Sequence, residues 1–206
     1  MIRRTSIQIK ENTMLGIALI FVGIVLVHNG VMFMSKTKDG KPLIAKSGKS
    51  VAFFNAIVGG ILVITNLIWL GLHAPGELAA GELSRHIIFQ NVASGLIFGV
   101  TYLFIAGNIL FKLDMRPFGL FCLGASVYAF IMVIDNFIAF GNGWHYGLWL
   151  ALLWITWFFL WFSGTLQFTF KWRLMEKVFP WISIGVGIIG AFIPAIFLLL
   201  GHWALL

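Results

Sequence analysis

Three tryptophans recur at spacings of three and four residues within one apolar stretch of this 206-residue chain. At those spacings Trp154, Trp157 and Trp161 share one face of a helix. The faces of their indole rings are electron-rich and the ring N–H donates a hydrogen bond, so such a helix face can line a slot for a small, flat, polar molecule. Bulky packing of the same rings against lipid or within a core explains the spacing equally well. From these residues alone, both interpretations stay open.

The helix that carries these rings is one of six continuous apolar stretches, each long enough to cross a bilayer. Apolar residues make up 60% of the chain and charged residues 10%, which excludes a water-soluble domain. The stretches do not alternate between polar and apolar residues, so helices are predicted rather than barrel strands. The predicted fold is an all-α integral membrane protein whose six helices cover Met14–Met34, Val51–Leu72, Ile87–Leu110, Pro117–Ile138, Gly147–Phe170 and Pro180–Trp203.

Basic residues concentrate in the loops on one side of the predicted membrane. The loops after the first, third and fifth stretches contain Lys36, Lys38, Lys41, Lys46, Lys49, Lys112, Arg116, Lys171, Arg173 and Lys177. The opposite side has Arg85 in its loops, and the N-terminal tail adds Arg3, Arg4 and Lys10. Because Lys and Arg in short loops mark the cytoplasmic face, both termini are predicted to lie outside. The net charge of +7 therefore reflects membrane orientation, and no nucleic-acid partner is expected.

The six stretches are predicted to form three two-helix hairpin repeats. Odd-numbered stretches end in small or polar residues, and even-numbered ones carry small residues four apart, such as Ala52, Ala56 and Gly60. Such stripes let helix backbones approach closely in lipid, although ordinary enrichment in small residues gives the same pattern. No signal-peptide cleavage is expected, because the first stretch is long and lacks a small-residue cleavage site.

The middle of each predicted span lacks charged side chains, and the chain lacks the usual motifs for catalysis. No Asp, Glu, Lys or Arg lies in the middle of any stretch, and Asp135 near one end comes closest. Ion-coupled transporters generally need such a group, so its absence favours passive permeation of a neutral solute. No metal-ligand spacing, nucleophile beside a base, or phosphate-binding loop occurs, and Cys122 is the single cysteine. The chain is therefore expected to have no cofactor or metal and no enzymatic activity.

Four groups of motifs, which together touch every predicted helix, resemble the bacterial urea and short-chain amide channel family (AmiS/UreI). These are Met14–Gly30, Asn55 with Val58–Gly60, Gly95–Tyr102 continuing to Leu113–Pro117, and Pro180-Trp181 with Ile193–Ala195 and His202-Trp203. The resemblance begins at Met14, so residues 1–13 are expected to be an N-terminal extension of a six-helix channel domain at 14–206, with Met14 as an alternative start. It implies a protomer of three hairpin repeats with both termini outside. It further implies a homo-hexamer in which each protomer holds its own pore in the bacterial plasma membrane.

The same resemblance implies which residues line the pore. Aromatic constrictions would fall on Trp154, Trp157, Trp161 and Tyr102, apolar positions on Leu19, Leu26 and Leu160, and a polar inner position on Asn29. Some family members carry a glutamate near the pore in the sixth helix, where this chain has Val186. The resemblance thus favours the slot interpretation of the tryptophan face.

Acid gating is a separate question, because gated members of the family have long outer loops rich in histidine and carboxylates. Here those loops are short, and the possible pH-sensing residues are His73, His86, His145, Glu77 and Glu82, with His202 also on the outer side. Imidazoles can sense acid in principle, although histidines near helix ends are commonly bystanders. An ungated channel is the prediction, and an acid-gated one is the alternative.

The sequence therefore predicts a passive channel for urea and similar small amides that supplies a cytoplasmic urease or amidase. Two rivals come from other functional classes. One is an ion-coupled secondary transporter of a small neutral amide, which the absence of a membrane-embedded charge disfavours. The other is a membrane scaffold that transports nothing, for which the tryptophan face would be packing alone.

Overall fold

The chain folds into helices throughout the part that can be described. The computed structural model describes residues 2–35, 43–80 and 82–200, with side chains described for 16–35, 47–73 and 89–200. In chain order the elements are α1 (Ile2–Met34), α2 (Leu43–Ala80), α3 (Glu82–Phe111), α4 (Arg116–Gly141), α5 (Tyr146–Phe168), α6 (Arg173–Gly185), a π-helix (Val186–Phe192) and α7 (Ile193–Leu199). The predicted all-α class is confirmed, and no strand occurs within these ranges.

Six helical segments in the described part of the chain are long and apolar enough to cross a membrane. Each contains at least 18 residues, and the sixth runs without a break through α6, the π-helix and α7. Many of their large apolar side chains point outward, including Phe130, Ile131 and Ile134 of α4. A water-soluble protein would not expose such a continuous apolar surface, whereas lipid accommodates it.

Two compact units make up the chain. The large unit contains α1, α4, α5, α6, the π-helix and α7, and the small unit contains α3 together with α2 from Ser47 onward. In the large unit, α1 and α5 end where α4 and α6 begin, and we call this the basic end because Arg116, Lys171 and Arg173 flank it.

Phenylalanines join the helices of the large unit at its basic end. Phe33 of α1 meets Phe179 of α6 with ring centroids 6.3 Å apart, and Phe179 meets Phe168 of α5 at 5.3 Å. Phe168 in turn meets Phe118 of α4 at 5.4 Å. All three pairs are edge-to-face, the arrangement that aromatic quadrupoles favour. This chain of rings holds one end of α1, α4, α5 and α6 in register.

The turn between α4 and α5 requires a glycine. Gly143 has a φ of 91°, in the left-handed region, and its N–H donates to the Phe140 carbonyl at 2.9 Å. The next N–H, from Trp144, donates to the Ala139 carbonyl at 3.0 Å. Only glycine adopts this backbone conformation without a steric cost. The short turn therefore sets α5 directly against α4.

The sixth span has a wide turn in its middle that the apolar pattern did not predict. The seven residues Val186–Phe192 form a π-helix, and α7 follows with Pro194 near its start. Proline fits the first turn of a helix because it has no N–H to leave unpaired there. π-Helical turns inside α-helices often occur at functional sites.

Candidate functional site

The tryptophan face of α5 is mostly buried in the large unit. Trp157 and Trp161 are 4% and 3% exposed, and their ring centroids lie 6.0 Å apart with a 40° angle between the planes. Trp154 is half-buried and meets Tyr128 of α4 edge-to-face at 5.7 Å. The predicted sharing of one helix face holds for the buried pair, while Trp154 is anchored against the neighbouring helix.

Leu160 lies between the two buried tryptophans in sequence and is itself buried. The nearby hydroxyls of α5 are used by their own helix: Ser163 Oγ donates to the Leu160 carbonyl at 2.8 Å. Hydroxyls bonded in this way satisfy their donors where water is scarce. The surface around Leu160 is therefore aromatic and aliphatic, without an ionisable group on this part of α5.

The predicted positions on α1 are also buried in the large unit. Leu19 and Leu26 are seven residues apart and so share one face, and Asn29 follows near the basic end. Asn29 Oδ1 lies 3.3 Å from His28 Nδ1, within hydrogen-bonding distance. The Leu26 carbonyl accepts a hydrogen bond from Ser183 Oγ of α6 at 2.8 Å. This buried bond fixes α1 to the sixth span beside Leu26.

The π-helix passes between α1 and α5 and begins with Val186, which is buried. On the α1 side, a methyl group added at Gly23 would lie 2.9 Å from the Gly187 carbonyl. On the α5 side, one added at Gly190 would lie 2.5 Å from Thr156 Oγ1. Both contacts thus favour glycine, because a side chain fits at either position only if a neighbouring group moves.

Sequence reasoning missed both the π-helix and the contact of Gly190 with Thr156. The cluster Gly185, Gly187 and Gly190 was an available signal for the close contact, though not for the π-helix, since glycines within a span often mark close backbone approach. The contact of Gly190 with Thr156 packs the π-helix, which begins at Val186, against the residue directly before Trp157. All the predicted pore positions on α1, α5 and the π-helix belong to the large unit: Leu19, Leu26, Asn29, Trp154, Trp157, Leu160, Trp161 and Val186.

Tyr102 belongs to the small unit, where it is 1% exposed on α3. The preceding Thr101 donates its hydroxyl to the Ile97 carbonyl at 2.7 Å. Within the same unit α3 packs closely on α2, where a methyl group at Gly99 would lie 2.7 Å from a Val63 methyl. Tyr102 is therefore held on a helix whose position against α2 is tightly defined.

The possible pH-sensing residues are only partly described. The His73 imidazole stacks on Trp69 with centroids 3.7 Å apart, and its Nδ1 lies 3.0 Å from the Trp69 carbonyl oxygen. His145 is exposed immediately before α5. The side chains of His86, Glu77 and Glu82 lie outside the described residues, as does His202. Among the described residues, no three His, Cys, Asp or Glu side chains form a metal-binding group.

Comparison with known proteins gives one consistent family. The chain is 34% identical to the acid-activated urea channel of Helicobacter pylori, over 92% of this chain and 100% of that protein. It is 29% identical to a putative amidate substrates transporter protein of Mycolicibacterium smegmatis, over 91% of this chain and 78% of that one. The cryo-EM structure of the Helicobacter pylori urea channel in its closed state matches with a TM-score of 0.73 and 30% identity, covering 92% of this chain and 99% of that one.

A family match covers almost the whole chain as well. Residues 14–202 match the AmiS/UreI family transporter model. The family consists of channels and transporters, which confirms that the chain is not an enzyme. Its six spans and its relatives make it a multi-pass protein of the bacterial inner membrane. The chain belongs to the AmiS/UreI family of urea channels and amide transporters.

Proposed function

We propose that this protein is a passive channel for urea and similar small neutral amides. The observation that carries the proposal is the buried pair Trp157 and Trp161 flanking Leu160, in a span without a mid-membrane charge. The relatives support the solute class, since one is a urea channel and another a putative transporter of amidate substrates. The pore-lining roles of the tryptophans, Tyr102, Leu19, Leu26, Asn29 and Val186 are part of this proposal.

Selection would follow from the chemistry of these side chains. A flat amide slides against indole faces, and the indole N–H donates to its carbonyl. An ion entering the same apolar passage would lose its hydration without gaining a charged partner, which is prohibitively costly. Weak contacts of this kind favour fast flux of a neutral solute over tight binding.

A matched pair of substitutions on α5 tests this role. Trp157→Ala removes a ring that is 4% exposed, and Trp149→Ala makes the same change at a ring that is 38% exposed on the same helix. We expect stopped-flow urea permeability in proteoliposomes to change in Trp157→Ala and to remain at the wild-type level in Trp149→Ala. Urea permeability that is unaffected by Trp157→Ala would contradict the proposal and support a packing role.

We further propose that the channel conducts at neutral as well as acidic pH. The supporting observations are the short loop between α4 and α5 and the placement of His73, whose ring is engaged with Trp69. The specific observation that favours the alternative is that the Helicobacter pylori relative is acid-activated. Equal urea permeability at pH 7.5 and pH 5 is the expected result, and conduction at acidic pH alone would establish a gate.

The remaining parts of the proposal concern arrangement and context. We place both termini outside and propose three hairpin repeats, a homo-hexamer, an extension at residues 1–13, and supply of a cytoplasmic urease or amidase. A recurring pattern supports the repeats: Asn66 of α2 and Asn136 of α4 each donate to the carbonyl four residues earlier, at 2.8 and 2.7 Å. Each also packs against a glycine of the next helix, Gly95 and Gly147 respectively.

A further inference from the structure

Asn108, near the end of α3, is a buried carboxamide without a hydrogen-bond partner. Its side chain is 3% exposed, and neither Nδ2 nor Oδ1 meets a partner among the described residues. Buried polar groups are nearly always paired, because losing water without gaining a partner costs free energy. An amide that is unpaired at both ends therefore needs an explanation outside the fold itself.

Other buried or half-buried asparagines in this chain form a hydrogen bond within their own helix. Asn55, Asn66 and Asn136 each donate Nδ2 to the carbonyl four residues earlier, at 2.8, 2.8 and 2.7 Å. Asn108 also lies within a helix, where the Phe104 carbonyl occupies the equivalent position. Its amide does not make that bond. The Asn108 amide is therefore available to hydrogen-bond to a group outside its own helix.

Asn108 and Gly99, a glycine at the contact between α2 and α3, lie on opposite sides of α3. On α3 that contact is marked by Gly95 and Gly99, where an added methyl group would meet Asn66 and Val63. Asn108 follows Gly99 by nine residues, which at about 100° per residue places it on the opposite side of the helix. Thr101 shares its face, with its hydroxyl already donated to the Ile97 carbonyl.

We propose that Asn108 is a hydrogen-bonding position for the permeating solute, specifically for its urea or primary carboxamide group. An asparagine side chain offers two donor hydrogens and one acceptor oxygen. Urea or a primary amide is complementary, since its carbonyl accepts from Nδ2 while its N–H donates to Oδ1. This inference rests on the proposed function and names a polar residue that would contact the same solute. Water is the competing occupant, and the experiment separates the two.

The test compares Asn108→Leu with Asn136→Leu, a matched change at a buried asparagine whose amide is already bonded to the Met132 carbonyl. In Asn108→Leu we expect unchanged or higher thermal stability, because two unpaired polar atoms are removed. We also expect urea permeability to fall about tenfold, with osmotic water permeability unchanged; a tenfold change corresponds to about 1.4 kcal/mol. In Asn136→Leu we expect lower thermal stability and an unchanged ratio of urea to water permeability.

Each contrary outcome has a distinct meaning. If Asn108→Leu has the same urea permeability as the wild type, this inference is overturned and the proposed function is left intact. A parallel loss of urea and water permeability would assign the amide to water and also overturn it. A wild-type protein that conducts no urea would reject the proposed function and this inference together. If Asn108→Leu does not assemble, Asn108→Ser keeps one hydroxyl donor and acceptor, and it is expected to reduce urea permeability by a smaller factor.

Discussion

Adding one methyl group at Gly190 should disturb the site at a defined contact. In Gly190→Ala the new Cβ would lie 2.5 Å from Thr156 Oγ1, whereas ordinary contact begins at 3.4 Å. The π-helix and α5 must therefore separate by about 0.9 Å, or Thr156 must rotate and lose its 2.7 Å bond to the Leu153 carbonyl. Overpacking of this kind costs about 1–3 kcal/mol. Because Trp157 directly follows Thr156, we expect separation of the helices to widen the proposed solute passage, which Val186 and Trp157 are proposed to line.

A double-substitution cycle measures this effect. Thr156→Ala removes Oγ1, which leaves Val186 Cγ1 at 3.1 Å and Thr156 Cβ at 3.5 Å as the atoms nearest to the added methyl group. We therefore expect Gly190→Ala to lower the thermal midpoint and to raise dimethylurea permeability relative to urea by about tenfold, a barrier change of about 1.4 kcal/mol. The double variant Gly190→Ala/Thr156→Ala should recover most of both changes, with a small remainder from the contact with Val186. The reasoning would be refuted if Gly190→Ala left the thermal midpoint and the permeability ratio unchanged, or if the double variant recovered neither quantity.

Two further substitutions test other contacts. Ser183→Ala removes the buried hydrogen bond from α6 to the Leu26 carbonyl and should cost about 0.5–1.5 kcal/mol of stability in thermal unfolding. The control is Ser126→Ala, because the Ser126 hydroxyl donates to the Leu123 carbonyl within its own helix. An equal loss of stability in Ser126→Ala would show that the bond between helices contributes no more than a bond within a helix. Gly143→Ala places a side chain at a φ of 91° and should cost about 1–2 kcal/mol in the same assay, with urea permeability unchanged. A neutral Gly143→Ala would mean that the turn relaxes to another conformation.

The six membrane-spanning helices could be predicted from the sequence, because apolar stretches of this length have few other stable structures in lipid. The spacing of Trp157 and Trp161 was sufficient to place them on one helix face, but their burial was not predictable, because the same spacing also fits a face that packs against lipid. The helix ends were less predictable. α2 covers Leu43–Ala80 rather than Val51–Leu72, because its terminal turns carry polar residues that a hydropathy pattern does not include.

The packing contacts could not be derived from one sequence. An α-helix and a π-helix have the same apolar composition, so nothing in Val186–Phe192 distinguished them. The contact of Gly190 with Thr156 depends on which face each helix presents, and that is decided by tertiary packing. The unpaired state of Asn108 was likewise hidden, since Asn136 has the same residue type and bonds to its own helix.

The central claim is that a neutral amide crosses this protein passively through an apolar, aromatic passage. Its most direct test is the time course of labelled urea uptake into proteoliposomes, with and without an uncoupler, beside a sodium flux measurement. We predict rapid, non-saturating entry that stops when internal and external urea are equal, is insensitive to the uncoupler and carries no sodium. Accumulation above the external concentration that collapses with the uncoupler would contradict the account and identify a coupled transporter.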